Sequence, residues 1–148
     1  MGSDSMKTRQ ISVFLENKVG RILEITEILG AHTVNIRALS LADTSDFGIL
    51  RMIVDDVEKS VKILKEKGFI VKESHVVAVE VPDKPGGLAS VLKILGKEKI
   101  NVEYMYAFFE QPQNKALLIF RFENPDRAVQ ILKDSGINIA AEDALGVH

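Results

Sequence analysis

Cysteine is absent from the 148 residues. That excludes disulfides, thiol chemistry and cysteine-based metal sites, and says little about compartment. Histidine occurs only three times: His32 at a helix end, His75 at the junction of two halves, His148 at the C-terminus. They show no ligand spacing, so each reads as structural or solvated. No serine lies in a nucleophile-elbow pattern. The paired acids Asp55-Asp56 and Asp43/Asp46 stand in helix-cap and turn settings. The glycine-rich turns lack both the phosphate-loop lysine and the three-glycine dinucleotide pattern. No catalytic set and no cofactor is expected, and the chain does not read as an enzyme. Runs of one charge are also missing. Nineteen basic residues face 21 acidic ones, for a net charge of −2. Nothing there calls for nucleic acid or an anionic membrane surface. No apolar run approaches membrane-spanning length, and the N-terminus has no signal-peptide core, which makes the cytoplasm the expected location.

What is there suits a packed protein. Apolar residues make up 46% and charged residues 27%, as in soluble globular chains. The length allows one ordinary domain or two small ones, and such a chain buries roughly two-thirds of its unfolded surface without staples. Residues 1–5, ahead of Met6, read as an expression scar or a disordered tip. Gln10 to Leu15 is a short strand pattern with an extra apolar Phe14. Arg21 to Leu29 sets Ile22, Ile25, Ile28 and Leu29 on one helical face, with Leu23 at its edge and Gly30 at the expected stop. Val34-Asn35-Ile36 opens an extended run to about Ala42, and Asp43-Thr44-Ser45-Asp46 is a hairpin turn by composition. Phe47 to Val54 is an apolar strand. Asp55-Asp56 caps a helix carrying Val57, Val61 and Leu64, with Ile63 beside them, up to Gly68. Phe69-Ile70-Val71 is a final short strand, so the order is βαββαβ.

The second half repeats the first. Shifted by 66 residues, Val13, Lys18, Gly20, Ile28, Leu29, Gly30 and Asn35 meet Val79, Lys84, Gly86, Ile94, Leu95, Gly96 and Asn101. After the hairpin the shift becomes 68, and Leu50, Val61, Ile63, Leu64, Lys65 and Gly68 meet Leu118, Val129, Ile131, Leu132, Lys133 and Gly136. The two extra residues fall in the second hairpin, around Gln111-Pro112-Gln113-Asn114, where a duplicated fold tolerates them. The expected domains are residues 6–74 and 75–148. Ser74-His75 is too short for a flexible linker, so the copies are expected to pack as one rigid unit. Each copy reads as an α+β unit of four antiparallel strands with two helices on one face, the split βαβ, ferredoxin-like arrangement.

One stretch organises each copy. Asn17-Lys18-Val19-Gly20-Arg21-Ile22 and Asp83-Lys84-Pro85-Gly86-Gly87-Leu88 each join a strand to a helix. Asn17 or Asp83 is expected to cap the helix, with Pro85 in its first turn. Gly20 and Gly86 let the backbone approach another group. Unpaired helix-start N–H groups suit a carboxylate. In the strands, Val102, Tyr104, Tyr106 and Phe108 alternate with Glu103, Met105, Ala107 and Phe109. If one set faces the helices, the other face carries Met105, Leu117 and Ile119 in the second copy. In the first copy it carries Leu39, Ile49 and Ile53 with Arg37 and Arg51. Such a face is too apolar for water and calls for a partner, a homodimer being the simplest.

Two hosts of the same strand order fit poorly. RNA-recognition domains stack bases on sheet aromatics, but the basic-glycine-aromatic pattern is missing and the first copy has no equivalents. An acylphosphatase-like enzyme needs an arginine in its phosphate-cradling loop; Arg21 stands there, but its counterpart is Gly87.

Glu-Asn-Lys-Val-Gly-Arg-Ile followed by Gly-(x)4-Asn-Ile, and Pro-Asp-Lys-Pro-Gly-Gly-Leu followed by Gly-(x)4-Asn-Val, resemble the ACT domain pattern. The resemblance runs from about Arg9 to Val147 as two tandem copies. It implies a regulatory protein that binds a small molecule, most often an amino acid, and acts on an attached or partner enzyme of amino-acid metabolism. It implies ligand contacts from the turn of one domain, at Asn17, Val19, Gly20, Arg21 and Ile22 or at Asp83, Pro85, Gly86, Gly87 and Leu88. The other contacts come from the start of strand 2 of a second domain, at Asn35 and Ile36 or Asn101 and Val102. Asn17 then pairs with Asn101, and Asp83 with Asn35. An amino acid needs N–H donors for its carboxylate and acceptors for its ammonium, and helix-start amides with an asparagine supply both. Val19 departs from the usual proline, and Glu16 faces Pro82 in the other copy. The competing reading is a structural oligomerisation or protein-interaction module with no ligand.

Overall fold

The computed structural model describes residues 6–43 and 46–148. The expected scar at residues 1–5 and the tip of the hairpin turn, Thr44-Ser45, lie outside the described residues. In chain order the elements are β1 (Thr8–Glu16), α1 (Arg21–Ala31), β2 (Ile36–Asp43), β3 (Phe47–Val54), α2 (Val57–Glu66) and β4 (Ile70–Pro82). Then come α3 (Gly87–Lys97), β5 (Val102–Ala107), β6 (Lys115–Phe122), α4 (Pro125–Asp134), β7 (Ile139–Ala140) and α5 (Glu142–Leu145). They fall into two units. One holds Arg9–Ser74 together with Gly146–His148; the other holds His75–Leu145 together with the described residues up to Thr8.

In the first unit the strand order is β2-β3-β1-β4, with β4 represented by its residues up to Ser74. The pairs β1·β3 and β2·β3 are antiparallel, with Val13 and Leu41 both opposite Leu50. Ile11, Val13 and Leu15 alternate along β1, and Leu50, Met52 and Val54 along β3; all six are buried. Ile25 and Leu29 of α1 and Val57, Ile63 and Leu64 of α2 complete this core. The buried stripe of α1 is narrower than its pattern suggests: Ile22 is 38% and Leu23 60% exposed. Asp56 caps α2 as expected, its carboxylate accepting from the Lys59 N–H at 3.2 Å. Residues 146–148 close over the same region. The Val57 N–H donates to the His148 carbonyl at 3.2 Å, the His148 N–H donates to the Asp55 carbonyl at 2.7 Å, and Val147 is buried.

In the second unit β4 lies between β6 and the two-residue β7, with β5 on the far side of β6. Val77, Val79, Val81, Phe120 and Phe122 from the sheet meet Val91, Leu95, Val129 and Leu132 from α3 and α4. The rings of Phe120 and Phe122 stack at 5.4 Å. Asn124 caps α4, accepting from the Arg127 N–H at 3.2 Å, in the position Asp56 holds in the first unit. Lys7 pairs with Asp126 at 3.0 Å, and Met6 packs against this core. Both units are thus ferredoxin-like α+β arrangements.

Four details depart from the sequence reading. First, Phe69-Ile70-Val71 is not a separate short strand. β4 runs unbroken for 13 residues, because nothing from Val71 to Val81 is a glycine or proline that would stop it. Second, Gly30 does not end α1. The helix continues to Ala31, and the left-handed residue after it is Thr33 (φ 59), matched after α3 by Lys99 (φ 56). Third, β2 and β5 each carry a register shift, between Ile36 and Ala38 and between Val102 and Tyr104. The residue passed over is Arg37 in one copy and Glu103 in the other, 66 positions apart. Such a bulge moves every later side chain to the opposite face. Leu39 therefore stands opposite Met52 on the helix side, and Met105 opposite Phe120, packed against the core. Tyr104 and Tyr106 take the other face, opposite Arg121 and Ile119. Fourth, part of that face is buried. Ile53, Leu117 and Ile119 are buried, so they are not the patch that a second chain must cover.

Candidate functional site

The two turns share one backbone design. The Gly87 N–H donates to the Lys84 carbonyl at 2.9 Å, and Gly86 sits at φ 81, ψ −3. Proline at the second place and left-handed glycine at the third make Lys84-Pro85-Gly86-Gly87 a type II turn. Lys18-Val19-Gly20-Arg21 repeats it, with the Arg21 N–H donating to the Lys18 carbonyl at 3.4 Å and Gly20 at φ 90, ψ −8. This displaces the expected caps. The residues preceding α1 and α3 are Gly20 and Gly86, and neither helix has a side-chain cap. Asn17 and Asp83 lie three residues too early to reach, and Pro85 stands before the helix rather than in its first turn. Their backbones do other work: the Asn17 N–H donates to the Asp46 carbonyl at 2.9 Å, and the Asp83 N–H to the Asn114 carbonyl at 3.3 Å. Each turn is thereby tied to the hairpin beside it. Without a side-chain cap, the N–H groups of Ile22 and Leu23, and of Leu88 and Ala89, have no acceptor inside their helices.

Side chains differentiate the copies. Val19 is fully exposed and the neighbouring Gly20 is exposed. Arg21 is held on two sides, 3.2 Å from Glu16 and 3.0 Å from Glu24. Gly87, its counterpart, is buried, and a Cβ there would lie 1.9 Å from the Pro82 carbonyl oxygen. Ile22 and Leu88 are exposed to a similar degree, 38% and 36%.

The strand-start asparagines lie elsewhere in each unit. Asn35 is bound on both sides to Asp55: its N–H donates to Oδ1 at 3.0 Å, and its carbonyl accepts from the Asp55 N–H at 3.0 Å. Asn101 makes only the second of these bonds, accepting from the Glu123 N–H at 3.4 Å. Both asparagines are exposed, while Ile36 and Val102 are half-buried and pair with Val54 and Phe122. Asn101 borders a cavity of about 420 Å³ with Lys99, Glu123, Asn124 and Arg127. Within a unit the turn adjoins the hairpin end of the sheet and the asparagine the opposite end. Neither unit alone brings its own turn and asparagine together. Among the described residues no three acids or histidines converge as a metal site, and no helix is long and apolar enough to cross a membrane.

A family model described as an ACT domain pair matches residues 6–148. The chain belongs to this family. Protein BT0572 from Bacteroides thetaiotaomicron is 40% identical to this ACT pair, covers 95% of it over 96% of its own length, and superposes with a TM-score of 0.89. The ligand-free regulatory subunit of aspartate kinase from Thermus thermophilus is 14% identical over 86% of this chain and 91% of its own, with a TM-score of 0.61. The corresponding subunit from Thermus flavus is 11% identical over 86% and 92%, with a TM-score of 0.60. At those identities the two subunits show a shared fold. No curated protein matches the chain. In the second copy the Pro-Gly of the ACT pattern is the centre of a type II turn, which leaves a helix start without a side-chain cap.

Proposed function

We propose that this ACT domain pair is a regulatory module, not an enzyme, that binds a free amino acid in the cytoplasm and acts on an enzyme of amino-acid metabolism. The observation that carries the reading is the duplicated turn. Two helix starts, built alike, leave the N–H groups of their second and third residues without a side-chain cap, which suits a carboxylate. The asparagine at a strand-2 start of another ACT unit supplies the acceptor for the ammonium, Asn17 being matched with Asn101 and Asp83 with Asn35. The contacts assigned are Asn17, Val19, Gly20, Arg21 and Ile22, with Asp83, Pro85, Gly86, Gly87 and Leu88, and Ile36 and Val102 beside the asparagines. The likeness in fold to regulatory subunits of aspartate kinase supports a regulatory role. The two turns are not equal. Asp83 carries a negative charge that repels a carboxylate placed close by, so the Asn17 turn binds more tightly.

A thermal-shift screen of the twenty amino acids tests this. Ligand at about 100 times its dissociation constant stabilises the fold by about 2.7 kcal/mol, which for this size raises the midpoint by about 5–10 °C. Asn101→Ala then weakens that ligand by about 1.5–3 kcal/mol, the loss of a bond to a charged group. A flat screen leaves the other reading, an oligomerisation module. The exposed Leu23, Leu41, Phe47 and Ile70 favour that one. Under either reading the chain is a homodimer, and light scattering should give twice 16.4 kDa.

A further inference from the structure

We infer that the first unit holds an amino acid with an apolar side chain in a pocket beside its turn, and that the second unit has lost this pocket. The inference rests on the amino-acid reading above and names the ligand class. The pocket, about 350 Å³, lies wholly within the first unit, bounded by the end of β1, the start of α1, the start of β3 and the turn from α2 into β4. One wall is apolar, made by Phe14, Phe47, Phe69 and Ile70. Phe47 and Ile70 are each 64% exposed, a large apolar area to leave in water. The lining also holds charged side chains, Glu16, Arg21, Glu24 and Lys67. Arg21 Nη2 lies 3.2 Å from Glu16 Oε1, and Nη1 lies 3.0 Å from Glu24 Oε2. A guanidinium has five N–H donors, so these pairs leave some for an incoming carboxylate, and Glu24 keeps a second oxygen for an ammonium. A cation and an anion side by side, lining the same pocket as apolar side chains, are what a zwitterion with an apolar side chain requires.

The second copy supplies an internal control. It keeps the turn but has Pro82 for Glu16, Gly87 for Arg21, Ser90 for Glu24, Lys115 for Phe47 and Asn138 for Ile70. Asn138 Nδ2 donates to Glu80 Oε2 at 3.1 Å, joining the two positions that Ile70 and Phe14 occupy in the first unit. The fold therefore forms without the aromatic and charged set, which points to a use other than folding.

Titration calorimetry on the full chain tests this with leucine, isoleucine, methionine and phenylalanine against aspartate, lysine and threonine. The apolar group should bind at one site per chain, at least about tenfold more tightly than the polar group. Phe47→Lys and Ile70→Asn each install the second copy's residue at an exposed position. They should weaken binding at least about tenfold without changing the unliganded melting midpoint. Binding that both variants leave intact overturns the pocket while the amino-acid reading stands. Binding lost in Phe47→Lys but untouched by Asn101→Ala and Asn35→Ala keeps the pocket and removes the turn–asparagine site. No binding by any amino acid overturns both.

Discussion

Val19 and Pro85 occupy the same place in the two type II turns, and only one of them is pre-set for it. Proline fixes φ near the value this position needs, while valine must be held there. Lys18 corresponds to Lys84, which already tolerates a following proline, and Val19 is fully exposed. Val19→Pro is therefore expected to stabilise the protein by about 0.4–1 kcal/mol through the unfolded state, a rise of about 1–4 °C in the thermal midpoint. Gly87 behaves in the opposite way. Its Cβ would collide with the Pro82 carbonyl at 1.9 Å, so Gly87→Ala should cost about 1–3 kcal/mol in a denaturant titration. The same substitution at the partner position, Arg21→Ala, removes only exposed ion pairs and should cost under about 1 kcal/mol. The sequence marked these residues but not their roles. Composition shows that asparagine or aspartate can cap a helix; it does not show that a complete turn intervenes between that residue and the helix.

Among the elements, alternation located β3 and β6 correctly and failed on β2 and β5. The cause is one residue in each, Arg37 and Glu103, whose bulge resets the faces. Nothing about an arginine or a glutamate announces a bulge, and only the repeat of the defect in both copies shows that it belongs to the fold. Met105→Ala distinguishes the two assignments. On a solvated face it would cost little; packed against the core of the second unit, it should cost about 2 kcal/mol, read as a shift in denaturation midpoint. The duplication made the helices, the hairpins and Asp56 legible. It was silent about α5 and residues 146–148, which have no counterpart in the first copy.

At the scale of the whole molecule, each unit contains a piece from the far end of the sequence. A variant ending at Leu145 loses the burial of Val147 and two backbone hydrogen bonds to the start of α2. The expected loss is about 2–4 kcal/mol, or about 5–10 °C in calorimetry. Far-UV circular dichroism should remain close to that of the parent, since no helix or strand is removed.

The same arrangement sets a timetable for synthesis. The first unit has all its strands and helices once Ser74 is made, yet its last three residues come roughly 70 positions later. At about 5–20 residues per second, that delay is about 4–14 s. During it, the nascent first unit lacks Val147 and the two hydrogen bonds of His148, and the surface they cover stays open to chaperones and proteases. Arrival of residues 146–148, rather than completion of the first half, is the event that finishes the first unit.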